Sequence, residues 1–250
     1  MAFTTTANLP DFAGIAGSKS SMICVPDPGL KSSNPMKKLH AIVIGATGAT
    51  GQQIVAQLLE DNAFDKISIF VRKTPHYSHD KLMIHKIDFS RLADYKDLIK
   101  GDVLFSALGT TIKEAGSKKN QYLVDYTYQY EFAKMAAENS ISRYALVSSI
   151  GADQKSLFFY PKIKGELEVS VKLLKFQKIH IYQPPILIRP TELSRTYEKI
   201  AIPIFKSFNK IRLLKSQKPL DVSSLAKKMI SEIKSKKTEL FKTFKPEEIF

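Results

Sequence analysis

From residue 39 onward, the apolar positions of the chain switch repeatedly between strand-like and helix-like spacing. Leu39–Ile44 is a short apolar run rich in β-branched residues, and after it Ile54, Val55, Leu58 and Leu59 recur at helical spacing. Ile67–Val71 predicts a second strand and Leu82–Ile87 a third. Leu92–Ile99 has helical spacing and leads to a fourth strand over Asp102–Leu108. A long helix is expected over roughly Tyr122–Asn139, then a fifth strand over Tyr144–Ser148 and another helix after Tyr160. Ile179–Ile188 supplies a sixth strand, interrupted by Pro184 and Pro185. The C-terminal part is less regular, with Asp221 or Ser223 placed to cap a final helix whose apolar face carries Leu225, Met229 and Ile233. Alternation of this kind predicts an α/β fold. Each parallel strand pair needs a crossover, so the sheet is expected to be parallel and doubly wound, with helices on both faces.

Residues 1–36 show no sustained periodicity and are rich in Ser, Thr, Ala, Gly and Pro. They lack an apolar core long enough for a secretory signal, and the absence of arginine argues against a transit peptide. The segment is therefore expected to be a flexible extension, with Met36 opening Met-Lys-Lys-Leu-His in the manner of a natural start. Residues 37–250 are expected to form a single domain, with a substrate-side segment at about 189–220.

Composition narrows the options further. With 250 residues and 44% hydrophobic content, the chain can bury one sizeable core. No run of 18 apolar residues appears, and a single cysteine, Cys24, excludes a disulfide scaffold or a cysteine metal site. A cytoplasmic location is expected on these grounds. Of the net charge of +14, most lies late in the chain: residues 151–250 carry 21 basic against 10 acidic side chains. Such a region suits a peripheral anionic membrane or a protein partner, or is a plain solvated surface; no nucleic-acid motif accompanies the lysines. His40, His76, His79, His85 and His180 do not form a metal-ligand pattern, so no metal is expected.

The first strand–helix junction carries the clearest chemistry. Gly45-Ala46-Thr47-Gly48-Ala49-Thr50-Gly51 lies between a strand and a helix. Glycine there permits positive φ and lets backbone approach a pyrophosphate, while the helix N-terminus offers free N–H groups and the positive end of its dipole. The reading is a Rossmann-type dinucleotide site. Arg72 and Lys73 follow the second strand, where an acid would hold a ribose 2′-hydroxyl and a base accepts a 2′-phosphate. They favour NADP(H), with NAD(H) the alternative. Asp88 and Phe89 are placed to line the adenine pocket, unless Asp88 simply starts the next turn.

Ser148-Ser149 closes the fifth strand, and Tyr160 and Lys164 follow at i and i+4, on one helix face. A lysine ammonium beside a tyrosine hydroxyl favours the phenolate, which makes the tyrosine a usable acid or base for a carbonyl/alcohol pair. A serine hydroxyl can hydrogen-bond the developing alkoxide. Pro161 should push Tyr160 to the N-cap edge of its helix.

The glycine motif, Ala107-Leu108-Gly109-Thr-Thr111, Ala115-Gly-Ser117, and Ser148-Ser-Ile-Gly-Ala152 through Tyr160-x-x-x-Lys164-Gly-Glu166 resemble the atypical short-chain dehydrogenases. The nearest branch is the Tat-interacting-protein-like NAD(P)H-binding oxidoreductases, over about residues 37–200. The resemblance implies NADP(H) binding, with Ala107, Leu108 and Gly109 on the cofactor and Ser148 or Ser149, Tyr160 and Lys164 as the catalytic set. It also implies that Lys164 holds the nicotinamide ribose. Two segments depart from the family: Ala107-Leu-Gly-Thr-Thr replaces Asn-Asn-Ala-Gly, so the usual asparagine has no counterpart, and Thr191-Glu-Leu-Ser-Arg195 stands where relatives have a glycine-rich substrate loop. The expected function is hydride transfer to or from a small carbonyl or alcohol; the alternative is a non-catalytic NADP(H)-binding regulator or scaffold.

Overall fold

A computed structural model of the chain describes residues 37–185, 187–188, 220–237 and 239–249. The expected flexible extension, and all but Leu220 of the expected substrate-side segment at 189–220, lie outside the described residues. In order, the elements are β1 (Leu39–Ile44), α1 (Ala49–Glu60), β2 (Phe64–Val71), β3 (Leu82–Lys86) and a 3-10 stretch (Phe89–Leu98). Then come β4 (Val103–Ser106), α2 (Ile112–Ala115), α3 (Lys118–Tyr122), a π turn (Leu123–Thr127) and α4 (Tyr128–Glu138). The remainder is β5 (Arg143–Val147), α5 (Phe159–Lys172), β6 (Lys178–Tyr182), β7 (Leu187–Ile188), β8 (Leu220–Asp221), α6 (Val222–Lys234), β9 (Phe241–Phe244) and α7 (Pro246–Ile249).

Seven strands form one parallel sheet in the order β3-β2-β1-β4-β5-β6-β9. The winding reverses between β1 and β4, where Ile44 pairs with Ser106. In open sheets of this type the crevice for a ligand lies at the carboxyl ends of the two strands flanking that reversal. This is the Rossmann-type doubly wound architecture.

Alternation along β1 distributes the core. Ala41 and Val43 join the layer under α1 and α6, with Ile54, Leu58, Leu225, Met229 and Ile233. Ile42 and Ile44 face the opposite layer, built with Phe132 and Ala136 of α4 and Leu167 and Val171 of α5. α1 and α6 are joined by a polar tie as well, since the Gln57 amide donates to the Ser223 carbonyl and hydroxyl. Asp221 is the residue that caps α6, accepting from the Ser223 and Ser224 amides.

Three elements differ from expectation. The sixth strand stops at Tyr182 because Pro184 and Pro185 have no N–H to donate; Leu187–Ile188 pairs instead with Leu220–Asp221 in a separate ribbon. The helix expected over 122–139 begins earlier and contains a π turn. A seventh strand, β9, was not expected: Phe241-Lys-Thr-Phe244 is too short to stand out from its lysine-rich surroundings.

Candidate functional site

The turn between β1 and α1 is shaped by two glycines. Gly45 has φ +79°, and a Cβ there would stand 2.4 Å from the Ala107 carbonyl carbon. A Cβ on Gly51 would stand 2.1 Å from the Gly45 oxygen. The β1–α1 turn, the β4 loop and the first turn of α1 are therefore in backbone contact. Gly48 is the N-cap of α1, which has no side-chain cap and no acid in its first turn. Thr47 and Gly48 are exposed, Ala49 is half-buried and Thr50 is buried. The exposed, uncapped end leaves backbone N–H groups and the positive dipole end for an anion, which fits the diphosphate of a dinucleotide.

Beyond β2, Arg72 and Lys73 are exposed on a bend, and neither forms a salt bridge among the described residues. Asp88 and Phe89 are otherwise engaged. The Asp88 carboxylate caps the 3-10 stretch, accepting from the Ser90 amide at 2.9 Å and the Ser90 hydroxyl at 2.7 Å. Those two bonds hold its carboxyl below the usual carboxylate range. Phe89 is buried against Tyr128, 5.8 Å between ring centroids. The turn-starting role weighed for Asp88 is the one seen.

Past β4, the Ala107 amide donates to the Ile44 carbonyl, which keeps Ala107, Leu108 and Gly109 beside the glycine turn. Under Gly109 lies the centre of the site. Lys164 of α5 is 3% exposed, and its ammonium is 2.8 Å from Oδ1 of Asp125, which is fully buried. Asp125 belongs to the π turn, and its Oδ2 accepts from the Thr110 amide at 3.1 Å. A Cβ on Gly109 would stand 3.3 Å from Asp125 Oδ1 and 3.9 Å from Lys164 Nζ. Burial alone would pull the lysine's pKa down; Asp125 foremost, with Tyr160 and Glu168, reverses this and holds it above its ordinary value. The ammonium stays charged.

The same nitrogen is 5.8 Å from the centroid of the half-buried Tyr160 ring, so tyrosine and lysine do share a face. Tyr160 is not at the helix edge, however. Phe158 is the N-cap, and Tyr160 and Pro161 both lie in the first turn of α5. That turn needs no amide from residue 161, so the proline is accommodated there.

The serine pair divides. Ser148 is buried and its hydroxyl donates to Glu168, one helical turn beyond Lys164. Glu168 also accepts from the Gln183 amide nitrogen at 2.9 and 3.0 Å, and Lys245 donates to the Gln183 oxygen at 2.8 Å. Ser149 is half-buried, and among the described residues its hydroxyl makes only a long 3.3 Å bond to the Ile150 carbonyl.

Sequence reasoning missed Asp125, Glu168 and Gln183. Glu168 was within reach, being four residues after Lys164 on the same face. Asp125 has a local signal too: Gln121, Asp125 and Gln129, at intervals of four, are all buried polar residues on one helical stripe. Gln121 donates to the Thr110 carbonyl, while Gln129 accepts from Ser106. That stripe ties the helix to the end of β4.

Known proteins bear on this geometry. A family model described as NAD(P)H-binding matches residues 45–170. The chain is 31% identical to protein HTATIP2 of Rattus norvegicus over 182 residues, 71% of this chain and 75% of that one. It is 32% identical to the mitochondrial protein FMP52 of Candida albicans over 195 residues, 76% of this chain and 85% of that one. Among solved structures, the Bordetella bronchiseptica enzyme WbmH in complex with NAD+ superposes with a TM-score of 0.63 at 15% identity, covering 83% of this chain and 75% of that one. That likeness shows the fold. The FMP52 relatives named mitochondrial overturn the expectation of a cytoplasmic protein. Among the described residues no helix is long and apolar enough to cross a membrane, and cysteine scarcity does not choose between cytosol and mitochondrion.

The family model covers half of the chain, and its first residue, Gly45, is also the positive-φ residue of the β1–α1 turn. The chain belongs to the NAD(P)H-binding family, as an atypical short-chain dehydrogenase/reductase of the HTATIP2-like branch.

Proposed function

We propose that the chain is an NADP(H)-dependent oxidoreductase acting on a small carbonyl or alcohol. One observation carries the reading: a charged Lys164, buried under the β4 loop at the sheet's switch point, lies 5.8 Å from the Tyr160 ring. When bound, the dinucleotide supplies or accepts the hydride. Tyr160 gives or takes the proton of the hydroxyl, and Lys164 stabilises its phenolate and hydrogen-bonds the ribose. Ser149, whose hydroxyl has only a weak bond to give up, donates to the carbonyl oxygen. Gly45, Gly48 and Gly51 shape the diphosphate cradle. The exposed Arg72 and Lys73 support a 2′-phosphate, and hence NADP(H) over NAD(H).

Titration of the purified protein with NADPH and NADH, followed by a panel of small aldehydes and ketones, tests the proposal. NADPH is expected to bind the more tightly, and Tyr160→Phe to lower turnover by roughly a hundredfold or more. Binding of neither nucleotide defeats the reading; turnover that survives Tyr160→Phe unchanged defeats the chemistry.

A second reading has its own support. Ser148 and Lys164 both already engage carboxylates, which suits an NADP(H)-binding regulatory protein without turnover. NADPH binding with no turnover across the panel would favour it.

A further inference from the structure

We propose that Asp125 is the positioning residue of this site: one oxygen fixes the Lys164 ammonium, the other fixes the Thr110 amide, and the lysine thereby reaches the cofactor already in place. The inference rests on the reading of the crevice as an NADP(H) site. It concerns a residue that none of the sequence motifs contains.

Three observations carry it. The Asp125–Lys164 contact, at 2.8 Å, is between side chains 0% and 4% exposed, so neither charge can turn to water instead. Asp125 stands in a π turn between α3 and α4, a departure from regular helix that recurs where a side chain must be re-aimed at a function. Its second oxygen binds the loop that follows Gly109, so the carboxylate bridges two of the walls, the β4 loop and α5, while anchored on a third. Stability does not account for the arrangement. A buried ion pair is on balance no better than a well-packed apolar pair, whereas removing one partner leaves an uncompensated charge.

The charged and titratable groups facing Lys164 are Asp125 from the π turn, and Tyr160 and Glu168 from α5. Glu168 is itself engaged by Ser148 and Gln183, and of the three groups Asp125 contributes most. Asp125 is thus the carboxylate that keeps a desolvated ammonium protonated. Without it, the lysine loses its proton at lower pH, and with the proton its hold on a ribose hydroxyl changes from a charged to a neutral one.

NADPH binding by fluorescence titration, from about pH 7 to about pH 9.5, tests this without recourse to turnover. The proteins compared are the parent, Asp125→Asn, Lys164→Met and the double variant, all in a Tyr160→Phe background that removes the phenol. The amide keeps an oxygen for Thr110 but loses the charge. The parent is expected to bind evenly across the range. Asp125→Asn should weaken progressively as pH rises, by roughly tenfold at the alkaline end, the scale of one charge-assisted hydrogen bond. In the Lys164→Met background the aspartate substitution should change nothing. An unshifted pH profile in Asp125→Asn, or an equal loss with and without Lys164, overturns the proposal. Should Asp125→Asn not fold, the double variant, which removes both charges, decides: affinity equal to Lys164→Met supports the proposal, and weaker affinity overturns it. A parent that binds no NADPH at any pH defeats the reading of the site itself, a distinct result.

Discussion

The hydroxyl of Ser148 donates to Glu168, twenty residues further along and on the neighbouring helix. A hydroxyl has one proton, so this serine has none left for a substrate while Glu168 is ionised. Ser149, one residue later, is half-buried and only weakly engaged. The two serines should therefore separate experimentally. Ser148→Ala is expected to cost about 1.5–3 kcal/mol of stability by removing a bond to a buried carboxylate, with a small direct effect on turnover. Ser149→Ala should leave the melting temperature nearly unchanged and lower kcat by roughly a hundredfold. Thermal unfolding and steady-state kinetics on the pair check the assignment; the reverse pattern places the substrate donor at Ser148.

The glycine turn gives a cleaner structural contrast. Gly45 and Gly116 have nearly the same positive φ, +79° and +78°. Around Gly116 a Cβ would meet nothing within 4 Å among the described residues, whereas at Gly45 it would meet the Ala107–Leu108 backbone at 2.4 Å. Gly116→Ala should cost only the left-handed strain, about 1–2 kcal/mol. Gly45→Ala adds a clash between backbones that cannot both yield, and should cost more than about 4 kcal/mol or prevent folding. Gly51→Ala, with 2.1 Å to the Gly45 oxygen, should behave likewise. Urea unfolding of the three variants gives the comparison. Equal losses at Gly45 and Gly116 would mean that close approach contributes nothing.

What could be read from the sequence is what neighbouring residues encode. The strand–glycine–helix junction at 39–60 and the face shared by Tyr160 and Lys164 are local, and both are seen, although Tyr160 lies further into its helix than expected. The end of β6 was half legible: the prolines marked the break, but only the pairing of Leu187 with Leu220 shows where the chain goes next. For Asp88 and Phe89 the local partners were the part that spacing did not give. The Ser90 amide and hydroxyl both donate to one oxygen of the Asp88 carboxylate, and the core takes the Phe89 ring. The partner of Lys164 was the least legible feature. It lies 39 positions away on an element whose aim depends on one irregular turn, and no periodicity in either segment joins them.

His85 links the fold to acid stability. It stacks on Phe70 with centroids 4.6 Å apart, and its Nε2 is buried without a hydrogen-bond partner among the described residues. Burial holds its pKa below the ordinary 6.5, and His40 and His180 are lowered chiefly by the same cause. As pH falls below that value the unfolded chain takes up protons that the folded one refuses, so stability is lost from about pH 6.5 downward. His85→Phe keeps the stacked ring and removes both the orphaned nitrogen and the titration. It is expected to stabilise the protein by roughly 1 kcal/mol at about pH 8, and by more at about pH 5.5. Melting temperatures at the two pH values test this, and a gain that is no larger in acid removes His85 from the account.

In the proposed reading Arg72 and Lys73 choose the nucleotide, and their exposure sharpens the expectation. Both side chains stand past the end of β2, and neither is committed to a salt bridge among the described residues. Neutralising them should therefore cost little stability, unlike any substitution in the glycine turn. A 2′-phosphate held by a guanidinium gains charge-assisted hydrogen bonds that a 2′-hydroxyl cannot supply. Arg72→Ala/Lys73→Ala is expected to weaken NADPH by roughly tenfold or more and to leave NADH within about twofold. Because the contact is exposed, the NADPH advantage of the parent protein should also shrink as salt rises from about 0.05 to 0.5 M. Titrations of both nucleotides at the two salt concentrations measure both effects. A parent that binds NADH and NADPH equally at low salt, or a double variant that loses both alike, shows that these two residues do not choose the cofactor.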